Sequence, residues 1–262
     1  MDLGLTDKVA LVTAASKGLG KAAALEFARE GASVSMCARS KALDISAEEI
    51  KEVTGADVFP MRADVTKQQD IDALVKATLD RFGQIDILII NAGGPQPGMF
   101  LSLKPEDWEE ATQLTLMSAV RICYAVVPHM LERGSGSIVA TESISVKQPV
   151  DHLILSNSIR MAVIGLIKSL ANELGPKGIR INSINPTFTH TERVDQLLTA
   201  RAIANGTSAE DEATKVAATI PLGRMGTVQE YGRAIAWLAS PAASYIHGHA
   251  LMFDGGATKS SI

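Results

Sequence analysis

Cysteine is nearly absent, with two residues in 262. Cys37 falls in a predicted buried strand and Cys123 in a predicted helix, both in apolar settings. They are expected to be free thiols of a reducing compartment, not a disulfide framework. A basic excess is missing too. The formal charge is -4, whereas a surface that neutralises nucleic-acid phosphates needs the opposite sign, so the expected partner is a small molecule and not a nucleic acid. No Pro/Gly/Ser-rich or charge-block linker divides the chain, and no internal repeat or low-complexity tract is present, so one domain over residues 1–262 is expected. The first strand begins by Lys8, leaving no room for a signal peptide, and no apolar run approaches the ~20 residues that cross a bilayer. The expectation is a cytoplasmic chain without membrane association.

What is present is an ordinary globular composition, 46% apolar and 21% charged, which needs neither a disulfide nor a structural metal to complete a core. Short apolar runs alternate with amphipathic stretches, the pattern of a parallel sheet covered on both faces. Seven strands are expected, at 9–13, 33–38, 58–61, 85–91, 137–141, 180–185 and 250–253. Capping boxes at Ser46–Glu49, Thr66–Gln69 and Thr227–Glu230 mark helix starts, and Gly31, Gly83 and Gly175 mark helix stops. Within 156–174, Ile159, Ala162, Val163, Leu166, Ile167 and Leu170 recur at helical spacing and predict one buried stripe. Residues 187–226 break the alternation with helical, charged, strand-free sequence and are expected to form a substrate lid.

Chemistry is concentrated first after strand one, in Thr13-Ala14-Ala15-Ser16-Lys17-Gly18-Leu19-Gly20. Gly18 and Gly20 fall where the helix begins, so backbone N–H groups at a helix N-terminus can meet phosphate oxygens without Cβ interference. Further short motifs follow in order: Asp64-Val65 after strand three, Asn91-Ala92-Gly93 after strand four, Ser143 after strand five, and a terminal Asp254-Gly255-Gly256.

On these motifs the chain resembles the short-chain dehydrogenase/reductase family over nearly all of its length. The resemblance implies a Rossmann-type doubly wound parallel α/β sheet of seven strands with helices on both faces. It implies a nicotinamide dinucleotide held by Thr13, Ala15, Ser16, Lys17, Gly18, Leu19 and Gly20, with Asp64 and Val65 flanking the adenine. Asn91, Ala92 and Gly93 would support the adenosine ribose and the central sheet. Pro186, Thr189 and Thr191 complete the set, Thr191 near the nicotinamide carboxamide. A homo-oligomer, commonly a tetramer, is implied as well. Two departures stand out: Ala14 replaces the family's first glycine, which suits a turn if its φ is negative, and Pro186-Thr187 replaces Pro-Gly.

Strand two ends Cys37-Ala38-Arg39-Ser40, without the acid that would accept bonds from a free ribose 2′-hydroxyl. Arg39, with Lys17, can instead clamp a 2′-phosphate through charge-assisted hydrogen bonds. NADP(H) is therefore the preferred cofactor, with NAD(H) the alternative.

The catalytic positions depart further. In most members of the family a Ser polarises the carbonyl, a Tyr thirteen positions on gives the proton and a Lys four beyond lowers the Tyr pKa. Ser143 fits the first role; the ungapped GLIKSLANELGPKGIRIN then places Ser156 at the Tyr position and Arg160 at the Lys position. The family's helix Asn maps to Thr115. The Leu155-Ser156-Asn157 and Arg160 pattern matches an atypical subgroup that carries the label oxoacyl-carrier-protein reductase-like. An aliphatic hydroxyl is a far weaker acid than a phenol, and an Arg cannot deprotonate. Four apart on a helix, Ser156 and Arg160 share a face. With Ser143 they can stabilise an oxyanion while water supplies the proton.

Other candidate acids are Glu142, expected on the opposite side of the strand from Ser143 unless the strand ends between them, and His152 in the loop before the helix. His247 and His249 share a face if the last strand already runs there, but no third ligand is nearby, so no metal site is expected. Trp108, Phe188 and Trp237 read as packing residues, with Phe188 at the start of the lid in reach of substrate. Two function classes follow. One is an NADP(H)-dependent oxidoreductase acting on a carbonyl or alcohol through Ser143, Ser156 and Arg160. The other is a dinucleotide-binding protein of the same fold that has left hydride chemistry, as a lyase, isomerase or regulatory binder.

Overall fold

The computed structural model describes residues 2–260. Among them, seven parallel strands form one sheet in the order β3-β2-β1-β4-β5-β6-β7. These are β1 (Val9–Val12), β2 (Ser33–Ala38), β3 (Val58–Arg62), β4 (Ile87–Ile90), β5 (Gly136–Thr141), β6 (Ile179–Pro186) and β7 (Ala250–Phe253). The central strands are buried along their whole length, as continuous apolar runs covered on both faces should be. Strand order reverses between β1 and β4, which opens a crevice at their carboxyl ends.

Both central strands are shorter than expected because side chains take over from the ladder. At the carboxyl end the Thr13 hydroxyl accepts from the Asn91 amide at 2.8 Å and donates to the Asn91 carbonyl at 2.7 Å. At the other end Asp86 Oδ2 accepts from the Val9 amide at 2.9 Å, so β4 starts only at Ile87.

Helices α1 (Gly18–Arg29), α2 (Ala42–Thr54) and α9 (Val228–Ala239) cover one face, through Ala23, Phe27, Leu43, Ile50 and Ile235. Helices α3 (Gln68–Phe82), α5 (Ser118–Arg133) and α6 (Ile154–Leu174) cover the other, through Ile71, Leu74, Ile122, Met130, Val163 and Ile167. Helix α4 (Pro105–Thr112) runs into α5 through a π-helical turn at Gln113–Met117. Between β6 and α9 lie α7 (Glu192–Asn205) and α8 (Ala209–Ala218), with a small core of their own made by Leu198, Val216, Ile220 and Met225.

Of the three expected capping boxes only Thr227–Glu230 forms. Ser46 is buried inside α2, where its hydroxyl donates to the Ser16 carbonyl at 2.8 Å and braces the glycine turn. Thr66 is claimed by Asp64, whose Oδ1 accepts from both its amide and its hydroxyl, and α3 begins two residues later at Gln68. Gly31 and Gly83 end helices with φ of 85° and 74°, but Gly175 stays right-handed and the chain turns at Gly178. In α6, Ile159, Val163 and Ile167 form the buried stripe, Leu166 and Leu170 are half-buried, and Ala162 is exposed, on the edge that faces away from the sheet. Two segments, Pro105–Arg133 and Ile154–Lys177, are long and apolar enough to cross a bilayer by length and composition, which corrects the expectation that no such run exists. In this fold they pack on one face of the sheet.

Helices α1 and α9 meet at Gly232, where an added Cβ would lie 2.8 Å from the Ala22 carbonyl oxygen. Because a helix backbone cannot yield as a flexible side chain does, Gly232→Val is expected to cost about 1–3 kcal/mol. Thermal unfolding followed by circular dichroism should show Tm lowered by several degrees; an unchanged Tm would mean that the two helices separate without strain.

Candidate functional site

A cavity of about 600 Å³ opens at the carboxyl ends of the strands, at the point of strand-order reversal. At one end it is lined by Ser16, Lys17, Gly18 and Leu19 of the glycine turn, Arg39 after β2, Asp64 and Val65 after β3, and Asn91, Ala92 and Gly93 after β4. At the other it is lined by Ser143, Ser156, Arg160, Pro186 and Thr189, and Thr191 lines it beside the glycine turn. Thr13, Ala15 and Gly20 are not in its wall. Thr13 is occupied by Asn91 and Ala15 is fully buried, its amide donating to the Cys37 carbonyl at 2.9 Å. Gly20 serves close packing, since an added Cβ would lie 2.4 Å from the Ala14 carbonyl oxygen.

The first turn of α1 has no side-chain cap, and its residues Gly18 and Leu19 face the cavity. Uncapped N–H groups at a helix N-terminus suit a phosphate, so the residues present fit the pyrophosphate of a dinucleotide. Gly18 has φ 58°, and its Cα packs against Thr191, whose Cγ2 would be 3.6 Å from an added Cβ. Thr191 is the N-cap of α7, its hydroxyl accepting from the Val194 amide at 3.3 Å. The start of α7 is thereby seated on the glycine turn.

Arg39 has a side chain 72% exposed, 4.0 Å from Asp64 Oδ2. Partial burial would raise the Asp64 carboxyl, but the bonds from Thr66 and the charges of Arg39 and Lys67 hold it below the usual range. Lys17 points elsewhere, to Glu192 Oε2 at 2.6 Å. The two cations expected to act together are therefore turned apart.

The other end is built on the end of β5. The register with β6 ends at Thr141, the Glu142 amide makes one more bond to it, to the Ile184 carbonyl at 2.9 Å, and Glu142 and Ser143 line the cavity wall together, so Glu142 is not on the far side of a strand. Ser143 Oγ accepts from the Ser145 amide at 3.2 Å. The Ser145 and Ser156 hydroxyls are 3.2 Å apart. Arg160 Nε donates to Ser156 Oγ at 3.1 Å, and Nη1 donates to Glu142 Oε2 at 2.9 Å and to the Thr141 carbonyl at 3.4 Å. Nη2 lies at the cavity wall beside Gly94, 4.0 Å from where a Cβ would be. Ser156, Arg160 and Glu142 are 7%, 8% and 6% exposed, so this is a buried ion pair at the floor of an open cavity. Burial pushes the Glu142 carboxyl up to about 7, against the pull and hydrogen bond of Arg160.

The Glu142–Arg160 pair and the contribution of Ser145 are not evident from motif spacing. A signal for the pair exists all the same: an Arg on the buried face of a helix demands a carboxylate, and Glu142 is the acid adjoining Ser143. His152 is exposed, with φ 61°, and does not line the cavity. His247 has both ring nitrogens engaged, by the Ile181 amide and the Ala171 carbonyl, and β7 starts only at Ala250, so His247 and His249 do not share a strand face. Thr115, in the π-helical turn, has a buried hydroxyl without a hydrogen-bond partner among the described residues. Phe188 lies under Arg201 and packs with the α7–α8 core, Trp108 packs beside Leu155 and Ile159, and Trp237 packs against the sheet. Tyr231, fully buried, bonds through its hydroxyl to Thr141 Oγ1 at 2.7 Å. Burial raises its phenol pKa further, and it does not line the cavity.

Ala14 corrects one expectation: its φ is 48°, in the left-handed region that a glycine adopts without strain. Ala14→Gly is expected to stabilise the protein by about 0.5–1 kcal/mol, read as a higher midpoint in urea unfolding at unchanged slope. A lower midpoint would show that the turn is not strained.

A family model described as enoyl-(acyl carrier protein) reductase matches residues 13–258. The chain is 33% identical over 254 residues to the 3-oxoacyl-[acyl-carrier-protein] reductase of Vibrio cholerae, covering 97% of this chain and 98% of the relative. It is 32% identical over 249 residues to that of Escherichia coli, covering 95% and 96%. Among solved structures, the L-sorbose reductase of Gluconobacter frateurii, complexed with NADPH and L-sorbose, superposes with a TM-score of 0.95 at 33% identity, covering 99% of this chain and 100% of that one. An actinorhodin polyketide ketoreductase with NADPH superposes with a TM-score of 0.92 at 31% identity, covering 97% and 98%.

Proposed function

The chain belongs to the short-chain dehydrogenase/reductase family, and from that premise we propose that it is an oxidoreductase that transfers a hydride between NADP(H) and a carbonyl or alcohol. The observation that carries this is the convergence of Ser143, Ser156 and Arg160 on the cavity whose other end is the glycine turn. Arg39 stands just past the end of β2, where the 2′-phosphate of NADP(H) would meet it, and no acid directly follows β2 to accept from a free 2′-hydroxyl; its neighbour Asp64 lies 4.0 Å away, past the end of β3. Relatives solved with NADPH agree with this preference. Residues 187–226 act as the lid over the substrate end, within a single domain.

When bound, the reduced nicotinamide supplies a hydride to the substrate carbon. The chain's own residues hold the oxygen that becomes negative. Ser143 Oγ and Arg160 Nη2 are the donors at the cavity wall, and preorganised donors in a site of low dielectric are worth far more than in water. Ser156 Oγ, held by Ser145 and Arg160, orients the guanidinium. No phenol with a lysine beside it is available, so reduction is expected to be slow. Tyr124 on α5 and Met161 on α6, both exposed, mark the face on which a second copy would pack in a homo-oligomer.

The enclosure of Ser156 by Ser145 and Arg160 favours a second reading, a dinucleotide binder without hydride transfer. The double variant Ser156→Tyr with Arg160→Lys separates the two. Reductase activity gained where the parent has none supports the binder.

Calorimetry is expected to show NADPH binding more tightly than NADH, and Arg39→Ala to weaken NADPH at least about tenfold while leaving NADH unchanged. A carbonyl panel followed at the nicotinamide absorbance should show turnover that Arg160→Ala lowers by about 10²–10³-fold. Binding of neither dinucleotide would reject both readings, and an unchanged rate in Arg160→Ala would reject the assigned oxyanion site.

A further inference from the structure

We propose that Glu142 is the proton donor of this site, standing in for the absent tyrosine, and that Arg160 is the fixed cation that stabilises the carboxylate left behind. The proposal rests on the hydride-transfer reading above and adds the origin of its proton. Its basis is geometric. Glu142 lies one residue past the end of β5, in the same cavity wall as Ser143, Ser156 and Arg160. Its Oε2 accepts from Arg160 Nη1 at 2.9 Å, and no hydrogen bond reaches Oε1 among the described residues, which leaves one carboxyl oxygen to carry a proton. An Arg holds its charge at every working pH, so the carboxyl is the member of the pair that titrates.

The ionisable groups that face Glu142 are Arg160 from α6 and Tyr231 from α9. Tyr231 stays neutral, its phenol raised by burial. Burial favours the neutral acid and Arg160 the carboxylate, and the balance lies at about 7, where a general acid works best near neutral pH. In reduction, the O–H bond of Glu142 breaks and an O–H bond forms on the substrate oxygen. The carbon gains the two electrons of the hydride that the dihydronicotinamide supplies. The Glu142 carboxylate, paired with Arg160, takes its next proton from solvent, and alcohol oxidation runs the same transfer backwards.

Glu142→Gln is the informative variant, because its amide oxygen still accepts from Arg160 while its side chain has no proton of this acidity to give. The expected results are reduction lowered at least about a hundredfold with NADPH affinity by calorimetry within about threefold of the parent. The parent's kcat/KM for reduction should fall as pH rises through about 7, and the remaining activity of the variant should lose that fall. A carboxyl that merely positions Arg160 would give neither result. A readout without cofactor accompanies these. A raised folded-state pKa contributes stability that is fully present below the unfolded value and lost as pH rises through the folded one, so the Tm of Glu142→Gln relative to the parent should climb between about pH 5 and 8.

Activity and pH profile retained in Glu142→Gln, or a Tm difference independent of pH, overturns the proposal while leaving the hydride-transfer reading standing. NADPH binding with no turnover of any carbonyl by the parent overturns that reading and the proposal together. Should Glu142→Gln not fold, the parent's profile decides: a fall above about pH 7 supports Glu142, and a flat profile from about pH 6 to 9 overturns it. Arg160→Gln, by removing the opposing charge, should move that fall to higher pH.

Discussion

A guanidinium that is 8% exposed has to be paired, and in this protein the pairing organises the site. Arg160 reaches from α6 across to the end of β5, where Glu142 takes Nη1 and Ser156 takes Nε. Those bonds tie helix to sheet at the place where Ser143 leaves the last strand position. They also place a permanent positive charge at the floor of an open cavity, where a carbonyl oxygen would benefit from it. A lysine here would have been a more mobile point charge; the planar fork of Arg engages three partners and leaves Nη2 at the cavity wall.

The opposite end of the cavity is set by backbone instead of charge. Reversal of strand order between β1 and β4 separates the chain ends that follow them. Thr13 and Asn91 lock these two ends together by exchanging side-chain and backbone bonds. With that lock in place, the glycine turn can present the uncapped start of α1. Ser46, from the second βα unit, braces the turn from behind, and Thr191 at the start of α7 rests on Gly18 in front. The glycine turn and the start of α7 therefore touch twice, through Gly18 with Thr191 and through the Lys17–Glu192 ion pair.

Much of this was legible because it depends on pattern. Continuous apolar runs bounded by turn residues locate parallel strands, and the ordered short motifs locate the cavity wall around Gly18, Asn91 and Ser143. Strand ends were less legible, since Thr13, Asp86 and Asn91 compete with the ladder through bonds made between residues roughly 80 positions apart. The boxes at Ser46 and Thr66 look locally sound, but distant or neighbouring acceptors, the Ser16 carbonyl and the Asp64 carboxylate, claim those hydroxyls first. Ala14 shows the reverse case: the residue type argues for a right-handed or extended backbone, and the turn imposes φ 48° nonetheless.

By itself the sequence determined the element order, the parallel sheet, the position of the glycine turn and the spacing of Ser156 and Arg160 on one helix face, because each follows from local periodicity or from motif spacing. Only the tertiary structure decided which side chains those two residues meet. Whether Glu142 faced Arg160 or the opposite side of the sheet depended on β5 ending at Thr141, and that is set by pairing with β6 and not by the residues of β5. Likewise Lys17 pairs with Glu192 instead of turning to the side of Arg39, since charges far apart in sequence find one another only when helices and turns have been placed by the core.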